Sequence, residues 1–462
     1  MNYQFDSAEL VSNSAYMDTD GTQFTDPTPF TNDGTRNLVR INENIELSGR
    51  FLSQELRLAS TGTRTLDWLT GAFFNSRKSR GGGYENVPYI DTDLPEGITI
   101  TGIPGEGGQG VAFRLMNWGR ESQEKAVFGE LTYHINDQFA LTGGVRYSNI
   151  DTVLWNQDYD GIPGLFALLF PLQSGEISYV KRNLSTPDTQ NVWTGKASLT
   201  FKPDDDHTFY ALVSRGYRVG MGNVVSGPDP NHPEAFSIPS SFESDSLWNY
   251  ELGAKMNMLD GRLSANIAVY YDPWTGIQLQ GRRNTDFYQF VGNAGEAVAK
   301  GIEMEIKYLP TANLKLGIAV TLQHTRLTSL TDQESLLTGA REGDRLPGSP
   351  DFQIAGSAEY SWPVGTGEMY ARVDAQHVGD SVNGVTNDAG TGQPNAAFAI
   401  NEAYENVNAS LGYTIGKWSM SMYVENLTDN DDFIITQNTP YTFNRYLTLR
   451  PRTAGFRISW DY

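Results

Sequence analysis

The stretch Asn249–Tyr271, "NYELGAKMNMLDGRLSANIAVYY", is two alternating runs joined by a tight turn. In the first run Tyr250, Leu252, Ala254, Met256 and Met258 share one face, and Glu251, Gly253, Lys255 and Asn257 share the other. In the second, Leu263, Ala265, Ile267, Val269 and Tyr271 stand against Ser264, Asn266, Ala268 and Tyr270. Side chains of a strand point to opposite faces with period two, so each run reads as a strand with one apolar and one polar face. A helical period fits neither. The link "LDGR" (259–262) carries the Asp and Gly that a short hairpin requires.

The same pattern recurs outward from this hairpin. "GIEMEIKY" (301–308) sets Ile302, Met304, Ile306 and Tyr308 against Glu303, Glu305 and Lys307. "KWSMSMYVEN" (417–426) sets Trp418, Met420, Met422 and Val424 against Ser419, Ser421, Tyr423 and Glu425. The closing "RPRTAGFRISWDY" (450–462) keeps Phe456, Ile458, Trp460 and Tyr462 on one face to its last residue, with Arg457, Ser459 and Asp461 on the other. About sixteen such segments of about 12 to 17 residues follow one another along the chain.

The links between them alternate in length. Tight ones are 60–64, 135–138, 202–207, 259–262, 309–313, 362–368 and 414–418. Between these lie long ones at roughly 17–44, 80–119, 155–190, 218–243, 281–296, 328–349, 381–402 and 431–445. Short turns at one rim and long loops at the other describe an antiparallel transmembrane β-barrel with periplasmic turns and extracellular loops. A propeller or soluble sandwich has no reason to sort its loops by parity, and its strands are shorter. In a barrel Phe456, Ile458, Trp460 and Tyr462 face lipid, with the aromatics at the interface, while Arg457 and Asp461 face the lumen.

Composition agrees. The chain has 462 residues, a length that a single all-β barrel can hold. Its 34 basic and 55 acidic residues argue against a nucleic-acid partner, whose phosphates need a basic face. Cysteine is absent, which removes disulfides and thiolate chemistry. The longest apolar stretch, "GLFALLFPL" (164–172), is about half of the roughly 20 residues that a spanning helix needs. The start "MNYQFDSAEL" has neither the basic start nor the apolar core of a signal peptide.

Several blocks together carry a family resemblance. These are "FLSQELRLAS" (51–60), "TFKPDDDHTFYALVSRGYRVGMGN" (200–223), "NAGEAVAKGIEMEIKYLPTANLKL" (293–316), "GDRLPGSPDFQ" (343–353), "YVENLTDNDDF" (423–433) and the closing strand. With the opening hairpin, and in this order, they resemble TonB-dependent outer-membrane receptors over essentially the whole chain. The resemblance implies a barrel of about 22 strands filled by an N-terminal plug and preceded by a signal peptide and a TonB-binding box. It also implies residence in the bacterial outer membrane among lipid and lipopolysaccharide, insertion by the barrel-assembly machinery, and energy coupling through the TonB–ExbB–ExbD complex. About sixteen strands would make residues 1–462 a partial barrel domain, without plug or first strands, and Met1 an internal or misplaced start. The family usually ends on phenylalanine, and Tyr462 departs from that.

No catalytic or cofactor site emerges, and the reading is of a non-enzyme. His134, His207, His232, His324 and His377 are scattered without metal-ligand spacing. "DNDD" (429–432) breaks the calcium-loop pattern, because Phe433 stands where a ligand belongs. "VGDSVNG" (378–384) has no assignable His and Asp partners, and "GGGYENVPY" (81–89) and "GEGGQG" (105–110) do not join a strand to a helix as a phosphate cradle must. Candidate ligand contacts are the arginine and aromatic residues of the long links: Trp118, Arg218, Arg282, Arg283, Tyr288, Arg345 and Arg445. Tyr84, Arg114, Trp155, Tyr159, Phe287, Arg341 and Tyr441 lie among them. Arginine pairs with carboxylate or catecholate oxygens, and aromatics cover flat faces of a chelate. The competing reading of each is loop packing or lipopolysaccharide contact. The functional expectation is an uptake receptor for a scarce ligand, a ferric siderophore before a saccharide or vitamin. The alternative is a passive sixteen-stranded porin-like channel.

Overall fold

Antiparallel pairing between neighbours in sequence builds this molecule. The computed structural model describes residues 1–25, 39–62, 65–90, 111–160, 180–223, 226–229, 234–283, 289–437 and 445–461. A 17-stranded sheet runs through them. Its first half is β1 (Asn2–Gln4), β2 (Ala8–Thr25), β3 (Val39–Ser60), β4 (Leu66–Ile90), β5 (Val111–His134), β6 (Phe139–Asp160), β7 (Val180–Phe201) and β8 (His207–Arg218). Its second half is β9 (Asp245–Met258), β10 (Leu263–Thr275), β11 (Glu296–Thr311), β12 (Leu314–Ser329), β13 (Phe352–Val364), β14 (Gly367–Val378), β15 (Tyr404–Ile415), β16 (Trp418–Glu425) and β17 (Thr453–Trp460). Fourteen of these have 12 residues or more, β16 and β17 have eight each, and β1 has only three. Each pairs with the next; among the described residues no pairing joins β1 or β2 to β17, so the wall keeps two edges.

The sequence pattern fixes the register. In the β9–β10 hairpin Leu252 lies opposite Val269 and Ala254 opposite Ile267, as their shared apolar face requires. The turn places Leu259 and Asp260 at φ 56° and 55°, followed by Gly261 at 78°. Left-handed residues at a hairpin tip match the twist of the flanking strands. Leu252 is 64 % exposed and Met422 57 %, because this face of the wall is built for lipid rather than for a protein core. The seven tight turns expected from sequence all join sheet strands, and an eighth falls at 5–7.

One expectation needs correction. Strands β3 to β7 have 22, 25, 24, 22 and 22 residues, well beyond the 12 to 17 expected, and they run into segments read as loop at 17–44, 80–119 and 155–190. A 22-residue strand at about 3.4 Å per residue and a tilt of about 40° rises roughly 57 Å, against an apolar band of about 25 Å. Above the band both faces are wet, so alternation fades while ladder hydrogen bonds continue.

The long links carry their own structure. Four small ladders form within them: Met221–Gly222 with Ser241–Phe242, Gln278–Arg282 with Gln289–Asn293, Ser381–Val382 with Ile400–Asn401, and Phe433–Gln437 with Arg445–Thr448. Helix α1 (Asp332–Thr338) starts on a capping box. The Thr331 hydroxyl accepts from the Glu334 N–H at 3.2 Å, and the Glu334 carboxylate accepts from the Thr331 N–H at 2.8 Å. Gly339, at φ 75°, ends it. Ile277, Leu279, Leu327, Leu346 and Val385 form one buried cluster; Ile238, Phe290 and Ala389 form another, against Phe236 and Leu337 of α1. The hydrophobic cores therefore lie at the loop end, drawn from four different links and the strand ends beneath them.

Candidate functional site

The inward face of the wall and the loop assembly are the surfaces a solute meets first. Several inward charges are compensated. Lys315 meets Glu359 at 2.9 Å, and Arg372 meets Asp374 at 2.6 Å and Glu359 at 3.3 Å. Arg146 meets Glu124 at 2.6 Å and lies over the rings of Phe73 and Phe128, 5.0 and 5.7 Å from their centroids. Fixed pairs of this kind stiffen the wall without leaving net charge for a ligand.

Arg77 on β4 and Arg120 on β5 differ. Arg77 lies opposite Phe51 and Ser122, and Arg120 opposite Ser79 and Leu154, so the two arginines are diagonal neighbours across the ladder. Both face inward, by the same parity that puts Val127 and Leu131 on the lipid side. Among the described residues neither has a carboxylate or hydrogen-bond partner. Two like charges at this spacing repel, and nothing on the wall offsets them. Trp118 joins them two residues further along β5, opposite Gly81. Its ring lies so close to the Gly81 backbone that any Cβ there would overlap it. Arg77 is eleven residues above the foot of β4, about 28 Å up the wall at the tilt used above and just past the apolar band.

The other residues singled out by sequence fall into different surroundings. Arg218 grips Asp245, whose carboxylate is buried at the base of the loops. The Arg218 N–H and Nε donate to it at 2.9 and 2.7 Å, Nη2 also donates, and the guanidinium stacks 4.5 Å from the Trp274 ring. Arg283 is 2 % exposed and donates to the carbonyls of Gly227 and Phe236 at 2.7 and 3.1 Å. Arg282 is half-buried in its small ladder. Arg345 donates to the carboxylate and the carbonyl of Asp380, both at 2.5 Å. Arg445 begins a short strand, with only its backbone described, and Tyr288 and Tyr462 lie outside the described residues. The side chains of Tyr84, Arg114, Tyr159, Phe287 and Tyr441 do so too. Phe456, Ile458 and Trp460 are exposed on the outward face of β17, where Trp460 meets Trp418 at 6.3 Å. Among the candidates whose side chains are described, Trp118 is thus the one that shares a surface with Arg77 and Arg120, which were missed. The parity of "NSRKSR" (75–80) separates Arg77 from Lys78 and Arg80, but sequence gives no sign of which cations lack partners. Among the described residues no cluster of side chains could hold a metal ion.

A further arginine closes the loop end. Arg326 donates to both oxygens of Asp351 at 3.1 and 2.8 Å and holds that loop carboxyl below the usual carboxylate range; partial burial opposes the shift. A folded pKa lowered in this way adds stability that is present above the ordinary value of about 4 and is lost as pH falls through the folded one. Arg326→Gln should therefore return the Asp351 titration toward the ordinary value, read from the carboxyl carbon by NMR. An unchanged midpoint would remove Arg326 as the cause.

Comparison with known proteins agrees with this fold. The family model described as TonB dependent receptor-like, beta-barrel matches residues 1–427. The pesticin receptor of Yersinia pestis is 25 % identical over 381 residues, covering 81 % of this chain and 46 % of that protein. The metal-pseudopaline receptor CntO of Pseudomonas aeruginosa is 22 % identical over 160 residues, covering 35 % of this chain and 20 % of its own. Among solved structures, the ferric yersiniabactin uptake receptor FyuA from Yersinia pestis superposes with a TM-score of 0.73 at 18 % identity, over 100 % of this chain and 60 % of that one. The ferric-catecholate import receptor Fiu of E. coli K12 superposes at 0.66 and 18 % identity, over 98 % and 62 %. The chain spans about half the length of the pesticin receptors it matches. No helix among the described residues is long and apolar enough to cross a membrane. With its antiparallel meander, its two-faced strands and a family match over residues 1–427, the chain belongs to the TonB-dependent receptor β-barrel family.

Proposed function

We propose that this chain is barrel wall of an outer-membrane receptor that takes up an anionic ferric chelate of the siderophore class. The observation that carries the reading is the uncompensated pair Arg77 and Arg120 beside Trp118, facing inward near the mouth. A guanidinium fork matches catecholate or carboxylate oxygens, and an indole covers a flat chelate face. A neutral saccharide would give such a pair no counter-charge. The uptake activity belongs to a longer protein, in which a plug and the TonB–ExbB–ExbD complex supply the energy and further strands pair with the two free edges. Two things support that assignment: the unclosed sheet and the 46 % coverage of a relative. A passive channel is supported less, because among the described residues the strands show no closing pair.

The test is a tryptophan fluorescence titration of the chain in detergent micelles. Ferric tris-catecholate, the iron-free catechol and a neutral trisaccharide would be compared. Saturable quenching by the ferric chelate alone is expected. An equal response to the trisaccharide, or none to the chelate, would sink the anionic-chelate reading.

A further inference from the structure

The lumenal face of β2 and β3 carries apolar side chains where a wet wall carries polar ones. By the parity that points Tyr16 and Leu52 to the lipid, Met17 and Phe51 point inward and lie opposite each other. Leu47 points inward four residues above Phe51. Met17 is 54 % exposed and Leu47 37 %, and Phe51 is half-buried, so all three keep apolar surface in the lumen. The inward face of β9 to β11 is different in kind: it presents Glu251, Lys255, Glu303 and Glu305.

The register sets these side chains beside the arginine pair. Phe51 lies opposite Arg77, and Leu47 lies opposite Gly81, the seat of Trp118. The inward row between them has no bulk: Gly49 stands between Thr19 and Ser79, with Arg120 one strand further on. The Thr19 hydroxyl donates to the Gly49 carbonyl at 3.3 Å. The result is a basin with Gly49 and Ser79 as its floor, Phe51 below, Leu47 above, and Arg77 and Arg120 along one side. Four residues from Phe51 to Leu47 make about 13 Å of strand, and two strand spacings from Gly49 to Arg120 make about 10 Å. At the tilt used above, the basin lies about 23 to 34 Å up the wall and brackets the level of Arg77. It has room for one substituted ring and not for a whole tris-chelate.

We infer that Phe51, Leu47 and Met17 form an apolar subsite, over the Gly49 floor, for a hydrocarbon substituent on one arm of the anionic chelate whose oxygens meet Arg77 and Arg120. The inference rests on the chelate reading and narrows it, because the preferred ligand becomes amphiphilic. Charge complementarity selects that occupant. A wholly apolar solute would fill the basin and leave two repelling guanidiniums unpaired beside it, and a wholly hydrophilic chelate would leave Met17 and Leu47 in water. One ligand that carries both features satisfies both sides of the basin.

The experiment uses the full chain in detergent micelles and two probes of equal charge, ferric tris-catecholate and ferric tris(4-tert-butylcatecholate). Each is titrated against tryptophan fluorescence, and the β-sheet circular dichroism is checked in parallel. The parent chain should bind the substituted chelate about tenfold more tightly, the gain expected for taking a few methyl groups out of water. Leu47→Ser/Phe51→Ser should erase that difference, whereas misfolding would lose both chelates. Gly49→Val is the independent check. Its side chain fills the floor, where among the described residues only the Thr19 hydroxyl lies within 4 Å of the new Cβ, and it should reverse the preference so that the plain chelate binds more tightly. Equal affinity of the parent for the two chelates, or a tenfold difference that survives in either variant, would overturn the basin and leave the chelate reading in place. Binding of neither chelate by the folded parent would overturn both.

Discussion

Replacing Arg77 and Arg120 together by glutamine is expected to weaken binding of ferric tris-catecholate by at least about a hundredfold while the sheet stays intact. Each guanidinium supplies charge-assisted hydrogen bonds worth about 1.5–3 kcal/mol, so two lost forks approach or exceed that factor. The fold should not suffer, because the two side chains have no partner among the described residues and relieving their repulsion costs nothing. Arg146 gives the contrast. It is tied to Glu124 and lies over Phe73 and Phe128, so Arg146→Gln should weaken the wall more than the binding. Titration of the variants by tryptophan fluorescence, with thermal melts alongside, separates the two effects. Unchanged affinity in the double variant would remove the pair from the ligand path.

Arginine placed at Ile267 is expected to cost about 2–4 kcal/mol of barrel stability in lipid, whereas arginine at the adjacent Asn266 is expected to cost little. Ile267 points outward between Ala254 and Met304, at mid-height of the apolar band, where a cation has neither water nor counter-charge. Asn266 points inward between Lys255 and Glu305, and arginine there meets a carboxylate across the ladder. Urea unfolding from vesicles would rank the two variants. A reversed ranking would mean that the faces are displaced by one residue, since a one-residue slip moves every side chain to the other side.

The wall was legible because two solvents write on it. Where lipid meets one face and water the other, as in Tyr250–Met258, every second residue reports its side, and Asp and Gly mark the hairpins. The signal stops at the membrane surface. Residues such as Arg77 to Gly82 stay in the ladder of β4 but have polar surroundings on both sides, so nothing in their pattern shows that the strand continues. Parity could place Trp118 and Arg120 on one face, but only the register across β4 shows that Arg77 joins them, and only the side-chain contacts show that both cations lack a partner among the described residues. The loop cores were hidden for another reason. Ile238, Phe290 and Ala389 come from three links and obey no period. For the same reason the sequence could not show that Arg218 and Arg283 reach inward to Asp245 and to loop carbonyls.

That shared loop packing bears on how this surface can vary. Loops that pack independently can diverge one at a time. Here Phe236 meets Phe290 edge-to-face at 5.4 Å, and Arg283 is fastened to the carbonyls of another link. A change at any of these positions is felt in the neighbouring loops. Tolerated single substitutions are then confined to the outermost tips, and the packed layer beneath them should diverge only by coordinated replacement of several residues at once.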